Sequence, residues 1–335
     1  MTQRIPSFEI NPPLINSSNP WATTLDDLRS LYACTSTGAV TTRTSLIKGF
    51  DHDATKHQYA FFDAASHSVS KLSSGKENAS LNCLGYSPIG LETYLGFIKQ
   101  ISDEQLTETS KGFIVSVTGT ADEVAECYKL IASARPSLKF PVAMEVNLSC
   151  PNIPDKPPPA FSEEALLQYL NSLRKIIEAH PTLCRIPFGF KSPPYTYSTQ
   201  YEVFIGALDQ SAASTGVSLV SFITATNTLG SCLALSSDGE STTSFALPGL
   251  GVGGMAGAPL HPLALGNVVT LRRMLDERKD RLGHIRIIGI GGVLDVGGYQ
   301  RMKAVGAWVV GIGTGLGLKG LTVFEEIEKE LGGSW

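Results

Sequence analysis

Cys150, in the run NLSCPNIP, is a candidate proton acceptor. A thiolate placed straight after a β-rich run, ahead of a loop studded with Pro151, Pro154, Pro157, Pro158 and Pro159, can take a proton from a bound molecule. The bland alternative for one cysteine is an inert buried thiol. Lys191 closes the apolar run IPFGFK and is followed by Ser192, Pro193 and Pro194. A lysine there can form a Schiff base, stay charged and stabilise an anion, or merely reach to solvent. Two glycine motifs, GIGG at 289–292 and GIGTG at 311–315, offer bare backbone N–H donors of the kind that cradle a phosphate.

These residues need a scaffold that brings them to one place. Eight β-rich runs end at or near positions 16, 42, 119, 149, 192, 226, 292 and 315. Between them, helical periodicity marks 24–32, 121–132, 162–179, 263–279 and 297–305, with acidic residues in the first turn of 24–32 and Ser162 as a cap. Strand and helix alternating eight times predicts a single α/β (β/α)8 TIM barrel, with no domain boundary over 1–335. Chemistry in such a barrel belongs to the carboxyl ends of its strands.

The first six runs end in amides, hydroxyls and cations: Asn16, Ser17 and Ser18; Thr42, Arg43 and Thr44; Ser116; Asn147, Ser149, Cys150 and Asn152; Lys191; Asn227 and Thr228. No carboxylate is expected at this rim, which disfavours a two-carboxylate glycosidase. Stretches 45–90 and 229–262 exceed a minimal barrel and read as loop insertions that roof the site.

Charged residues are only 17% of the chain, as expected if many strands are buried on both faces. The net charge of -4 and the lack of a basic, aromatic-interleaved stripe argue against nucleic acid as a partner. Apolar runs are too short to span a bilayer, and the opening residues carry no targeting pattern, so a soluble, cytoplasmic protein is expected. Six scattered cysteines and six dispersed histidines form no metal-ligand spacing, so no metal is expected.

The segment VNLSCPNIPDKPP resembles the active-site segment of the class 1A dihydroorotate dehydrogenases, FMN enzymes that oxidise dihydroorotate to orotate and reduce fumarate. The likeness extends through LNCLGYSPIGLETYL, GFKSPP, ATNTLG, GVGGMAGAPLHPLAL, IIGIGG and VVGIGTGL. It implies that Cys150 takes the C5 proton while C6 delivers hydride to the flavin, and cysteine rather than serine points to the soluble class. It implies a substrate site of Arg43, Asn82, Leu84, Gly85, Tyr86, Asn147, Asn152, Asn227 and Thr228. For the flavin it implies Lys191 at the N1–C2=O edge and Ser116 facing the ring. Ser17, Ser18, Arg43, Thr44, Asn147, Gly253 and Gly254 would lie nearby, with Gly291, Gly292, Gly313 and Thr314 at the phosphate. A homodimer and a place in pyrimidine biosynthesis follow from the same resemblance.

The sequence also departs from the family pattern. Arg43 stands where the family has lysine, a non-conservative exchange of a point charge for a planar fork. Asn19 replaces a glycine, Thr228 a serine, Tyr86 a leucine and Pro88 an asparagine, and the chain stops at Trp335 without the family's terminal segment. These changes touch substrate and ring contacts, so a paralogue acting on another small acid or cyclic amide is the second expectation.

Overall fold

The computed structural model describes residues 6, 8–69, 75–149, 158–213, 215–237 and 243–335; Cys150 and Asn152 lie outside them. Eight strands close into a parallel barrel in chain order: β1 (Leu14–Asn16), β2 (Ala39–Thr41), β3 (Gly112–Val117), β4 (Val142–Asn147), β5 (Phe188–Lys191), β6 (Phe222–Ala225), β7 (Arg286–Ile290) and β8 (Val309–Ile312). All eight lie within or at the ends of the runs predicted from sequence. Around them lie α1 (Leu25–Ala33), α2 (Leu91–Asp103), α3 (Ala121–Ala134), α4 (Glu163–Ala179), α5 (Ser198–Ala213), α6 (His261–Glu277), α7 (Val296–Ala304) and α8 (Thr322–Leu331).

Local chemistry starts several of these helices. Thr24 with Asp27, and Thr120 with Glu123, form reciprocal capping boxes, while Ser162 and Asp295 cap α4 and α7 through their side chains. The sequence places the third of these openings correctly and starts α6 two residues late, because Pro262 sits in its first turn, where a missing N–H costs nothing. Helices α2, α5 and α8 lie outside the ranges expected as helices. The first begins at Gly90, which offers no side-chain cap.

Side chains alternate between the helix shell and the barrel interior. The interior holds a separate apolar plug that includes Phe8, Ile10, Ala39, Ile114, Ala143, Phe222 and Val309. Above that plug the same alternation brings inward Thr41, Ser116, Glu145, Gly189 and Thr224, and above them Asn147 and Lys191. Glu145 adds an inward carboxylate that the strand ends do not show. It lies one layer beneath the rim, on the same face of β4 as Asn147 two residues on.

The two insertions are not plain loops. Strands Tyr59–Phe62, Ala79–Asn82, Val252–Gly257 and Leu229–Leu233 form an antiparallel sheet, and a smaller sheet joins Ser68–Val69, Leu235–Ser237 and Thr243–Phe245. The first sheet covers the carboxyl end of the barrel, as expected for a roof. No helix among the described residues is long and apolar enough to cross a membrane.

Candidate active site

A cleft of about 760 Å³ opens between the strand ends and this roof, within the size range of small-molecule sites. Its floor is the barrel and its lid the strands Ala79–Asn82 and Val252–Gly257, joined in register Asn82 to Gly254. Of the residues expected at the site, Ser17, Ser18, Arg43, Thr44, Asn82, Leu84, Gly85, Tyr86, Asn147, Lys191, Asn227 and Thr228 line this cleft. So do Gly254, Gly291, Gly292, Gly313 and Thr314. Ser116 and Gly253 do not line it. Ser116 is fully buried one layer down, and Gly253 is turned toward Leu247 and the Asn82 carbonyl. Ser149, expected at the end of the fourth strand, lines it too, as do Trp21, Tyr59, Ser80 and Thr226, which were not expected.

At the strand-four side, Asn227 Nδ2 donates to Asn147 Oδ1 at 3.1 Å and to Ser149 Oγ at 2.9 Å, and Asn147 Nδ2 donates to Thr44 Oγ1. Opposite, Asn82 Nδ2 donates to the Gly254 carbonyl at 3.2 Å. Amides on two walls present donors and acceptors to a flat, imide-like edge without burying charge. The Thr226 hydroxyl is buried at the cleft and has no partner among the described residues. A buried hydroxyl left this way at a cleft is free to bond a ligand there.

Arg43 follows β2 and is only 9% exposed, and burial pulls its guanidinium below the usual arginine range. Its Nη2 donates to the carbonyls of Tyr86 at 3.0 Å and Leu84 at 3.4 Å, holding the 84–86 loop over the cleft. Gly85 turns that loop with φ +62°, and a Cβ there would lie 2.5 Å from the Phe50 ring. Phe50 in turn meets Tyr86 edge-to-face. Asn19 folds back on its own segment: Nδ2 donates to Ser17 O and Oδ1 accepts from Trp21 N.

The other end of the cleft is bare backbone. Gly292 has φ +70°, and a Cβ would come within 2.5 Å of the Gly257 carbonyl. His261 holds the preceding turn. Its Nδ1 lies 2.7 Å from the Gly291 carbonyl while Nε2 accepts from Arg301 Nε, which places the ring proton on Nδ1. Thr314 Oγ1 shares a hydrogen bond with Ser80 of the roof, and Gly313 packs near Ser17. Sequence reading found the glycines but not His261 or Arg301, which give no signal outside the folded chain.

A sequence profile of the dihydroorotate dehydrogenase family matches residues 69–334. Dihydroorotate dehydrogenase A (fumarate) of Lactococcus lactis subsp. lactis (strain IL1403) is 27% identical over 323 residues, spanning 96% of this chain and 90% of that one. Dihydroorotate dehydrogenase (fumarate) of Trypanosoma cruzi (strain CL Brener) is 27% identical over 321 residues, with 95% and 88% covered. The Trypanosoma brucei brucei enzyme of the same name is 29% identical over 253 residues, covering 75% and 72%. Parallel barrel, roofed cleft and profile match agree: the chain belongs to the dihydroorotate dehydrogenase family.

Proposed function

We propose that this protein oxidises (S)-dihydroorotate to orotate with a bound FMN and passes the electrons to fumarate, as a step of pyrimidine biosynthesis. The observation that carries this reading is the convergence of Arg43, Asn82, Asn147, Lys191 and Asn227 on one cleft that ends in a glycine cradle. Relatives named for the fumarate-type reaction span more than nine-tenths of the chain. FMN fits the residues present. Gly291, Gly292, Gly313 and Thr314 supply a backbone cradle for its phosphate, Lys191 a cation for the ring edge, and the unpartnered Thr226 hydroxyl a hydrogen bond. When bound, FMN supplies the two-electron acceptor for the hydride leaving C6.

The rest of the reaction falls to the chain. Cys150, which follows Ser149 in the sequence, takes the C5 proton as a thiolate. The asparagines hold the ring amides, and Arg43 grips the carboxylate with donors its loop contacts leave over. Fumarate then occupies the same cationic floor and leaves as succinate after gaining a hydride and a proton.

We place the protein in a reducing, cytoplasmic compartment, which fits five described cysteines that are all free. We read its assembly as a homodimer, supported by apolar residues exposed on the insertion sheets. The exchange of lysine for Arg43 favours a second reading, in which the same chemistry serves another small acid or cyclic amide.

An anaerobic visible spectrum tests the proposal. A yellow protein bleached by L-dihydroorotate and recoloured by fumarate is expected. A yellow protein left unbleached would move the assignment to the second reading, and a colourless one would remove the flavin.

A further inference from the structure

Glu145 sits on β4 two residues below Asn147 and is 2% exposed. Its Oε1 accepts from Ser116 Oγ on β3 at 2.9 Å, and its Oε2 accepts from Thr224 Oγ1 on β6 at 2.6 Å. Strand β5 lies between β4 and β6, and the residue it places level with Glu145 is Gly189. The carboxyl side chain therefore crosses a position with no side chain to reach Thr224. Each carboxyl oxygen thus has a hydroxyl partner, an arrangement that suits a carboxylate accepting from both.

Lys191 is the next inward residue above Gly189, paired in register with Asn147 and with Thr224, and only 4% exposed. Burial pulls its ammonium below the usual lysine range, and the charge of Glu145 opposes that pull. A lone buried ammonium sheds its proton, whereas a buried pair of opposite charge is tolerated when hydrogen bonds hold the anion.

A row of hydroxyls runs from the same carboxylate to the rim. Ser116 gives its proton to Glu145, so its oxygen takes one from Thr44 at 3.0 Å. Thr44 accepts in turn from Ser18 at 3.0 Å and from Asn147. All three hydroxyls point down toward Glu145, which leaves oxygen lone pairs rather than protons uppermost at Ser18.

We propose that Glu145 is a positioning residue for charge: a buried carboxylate that keeps Lys191 an ammonium at the cleft floor and orients the Ser116–Thr44–Ser18 hydroxyls beneath the bound ring. This rests on the flavin reading above.

Glu145→Gln tests it, because glutamine keeps the shape and can bond the same hydroxyls while losing the charge; Glu145→Asp serves as the conservative rescue. Two readouts are made on the purified protein. In the first, the bound flavin's midpoint potential should fall in Glu145→Gln, because the cation at its edge is lost, and should return toward the parent value in Glu145→Asp. A rise would overturn the proposal, since removing an anion from beside a lysine that keeps its charge moves the potential upward. In the second, competitive labelling with acetic anhydride, read on the peptide containing Lys191, should titrate at a pH lower by roughly one unit or more in Glu145→Gln. Identical titrations would overturn the proposal. Protein purified without flavin would instead sink the functional reading, and the labelling would still decide the role of Glu145.

Discussion

Arg43 shows how one side chain can carry two tasks at this site. One nitrogen of its fork already holds the Leu84 and Tyr86 carbonyls, and the residue lines the cleft, with no ion pair among the described residues. A lysine could reach either the loop or a substrate carboxylate, but its single ammonium cannot grip both in a fixed plane. Under the proposed reaction, Arg43→Lys should therefore raise KM for dihydroorotate about tenfold, equivalent to about 1.4 kcal/mol, with kcat changed little. Steady-state kinetics with saturating fumarate give the answer. A gain in turnover on dihydroorotate would mean that the arginine serves a different acid. The lysine that this position has in the family was legible from sequence, as was its replacement. What sequence could not give was the loop contact, because residues 43 and 86 meet only when the roof is in place.

Helices and strands were legible where burial pattern and capping agree. The barrel strands read as short apolar runs because both their faces are covered, and α1, α3 and α4 announce themselves by Thr24, Thr120 and Ser162. Helix α2 was hidden because LETYLGFIKQISD begins inside a segment that reads as a substrate loop and lacks a side-chain cap. The roof strands were hidden for another reason. They are rich in Gly and Ser, and their pairing of Gly254 with Asn82 spans a sequence distance that local periodicity cannot see. Glu145 was missed because the polar residues considered were those at the strand ends, although the alternation that turns Asn147 inward turns Glu145 inward as well.

One element contact carries a pH dependence. Lys111, just before β3, donates to the Leu31 and Cys34 carbonyls at the end of α1 and to Thr37 Oγ1. Burial pushes its ammonium down to about 8. The unfolded chain holds this proton to near the ordinary lysine value, so between about 8 and 10.5 it binds more protons here than the folded chain does. Stability linked to Lys111 is therefore lowest below pH 8 and rises with pH through that window. Lys111→Met should lose about 1–3 kcal/mol through the unpaired helix-end carbonyls. Urea unfolding of both proteins at pH 7.5 and 9.5 should show the parent gaining on the variant at the higher pH, and a constant gap would refute the assignment.

At the scale of the whole molecule, five of the exposed large apolar residues, Leu233, Leu235, Phe245, Leu250 and Val252, fall within one insertion. Leu233 and Val252 are cross-strand partners, 45% exposed each, and Leu235 pairs with Phe245, 54% exposed, with Leu250 nearby in the chain. Residues 229–237 and 243–257 contain no charged side chain, so these strands lack the charges that usually guard an open sheet against pairing. A second copy of the chain is the occupant we propose, because a two-fold interface lets one apolar patch cover itself. The strand Val252–Gly257 runs from this patch to the cleft, where Gly254 accepts from Asn82. Assembly would thus brace the roof over the substrate. Phe245→Glu places two carboxylates in such an interface, one from each copy, and should weaken it by about 2 kcal/mol or more, about thirtyfold in dissociation constant. Sedimentation velocity should find the parent as a dimer and the variant as a monomer. Because the bracing is lost with the partner, KM for dihydroorotate should rise in the variant, while its flavin, held at the far glycine cradle, stays bound. A parent that sediments as a monomer at every concentration, or a monomeric variant with unchanged KM, would separate the roof from the assembly.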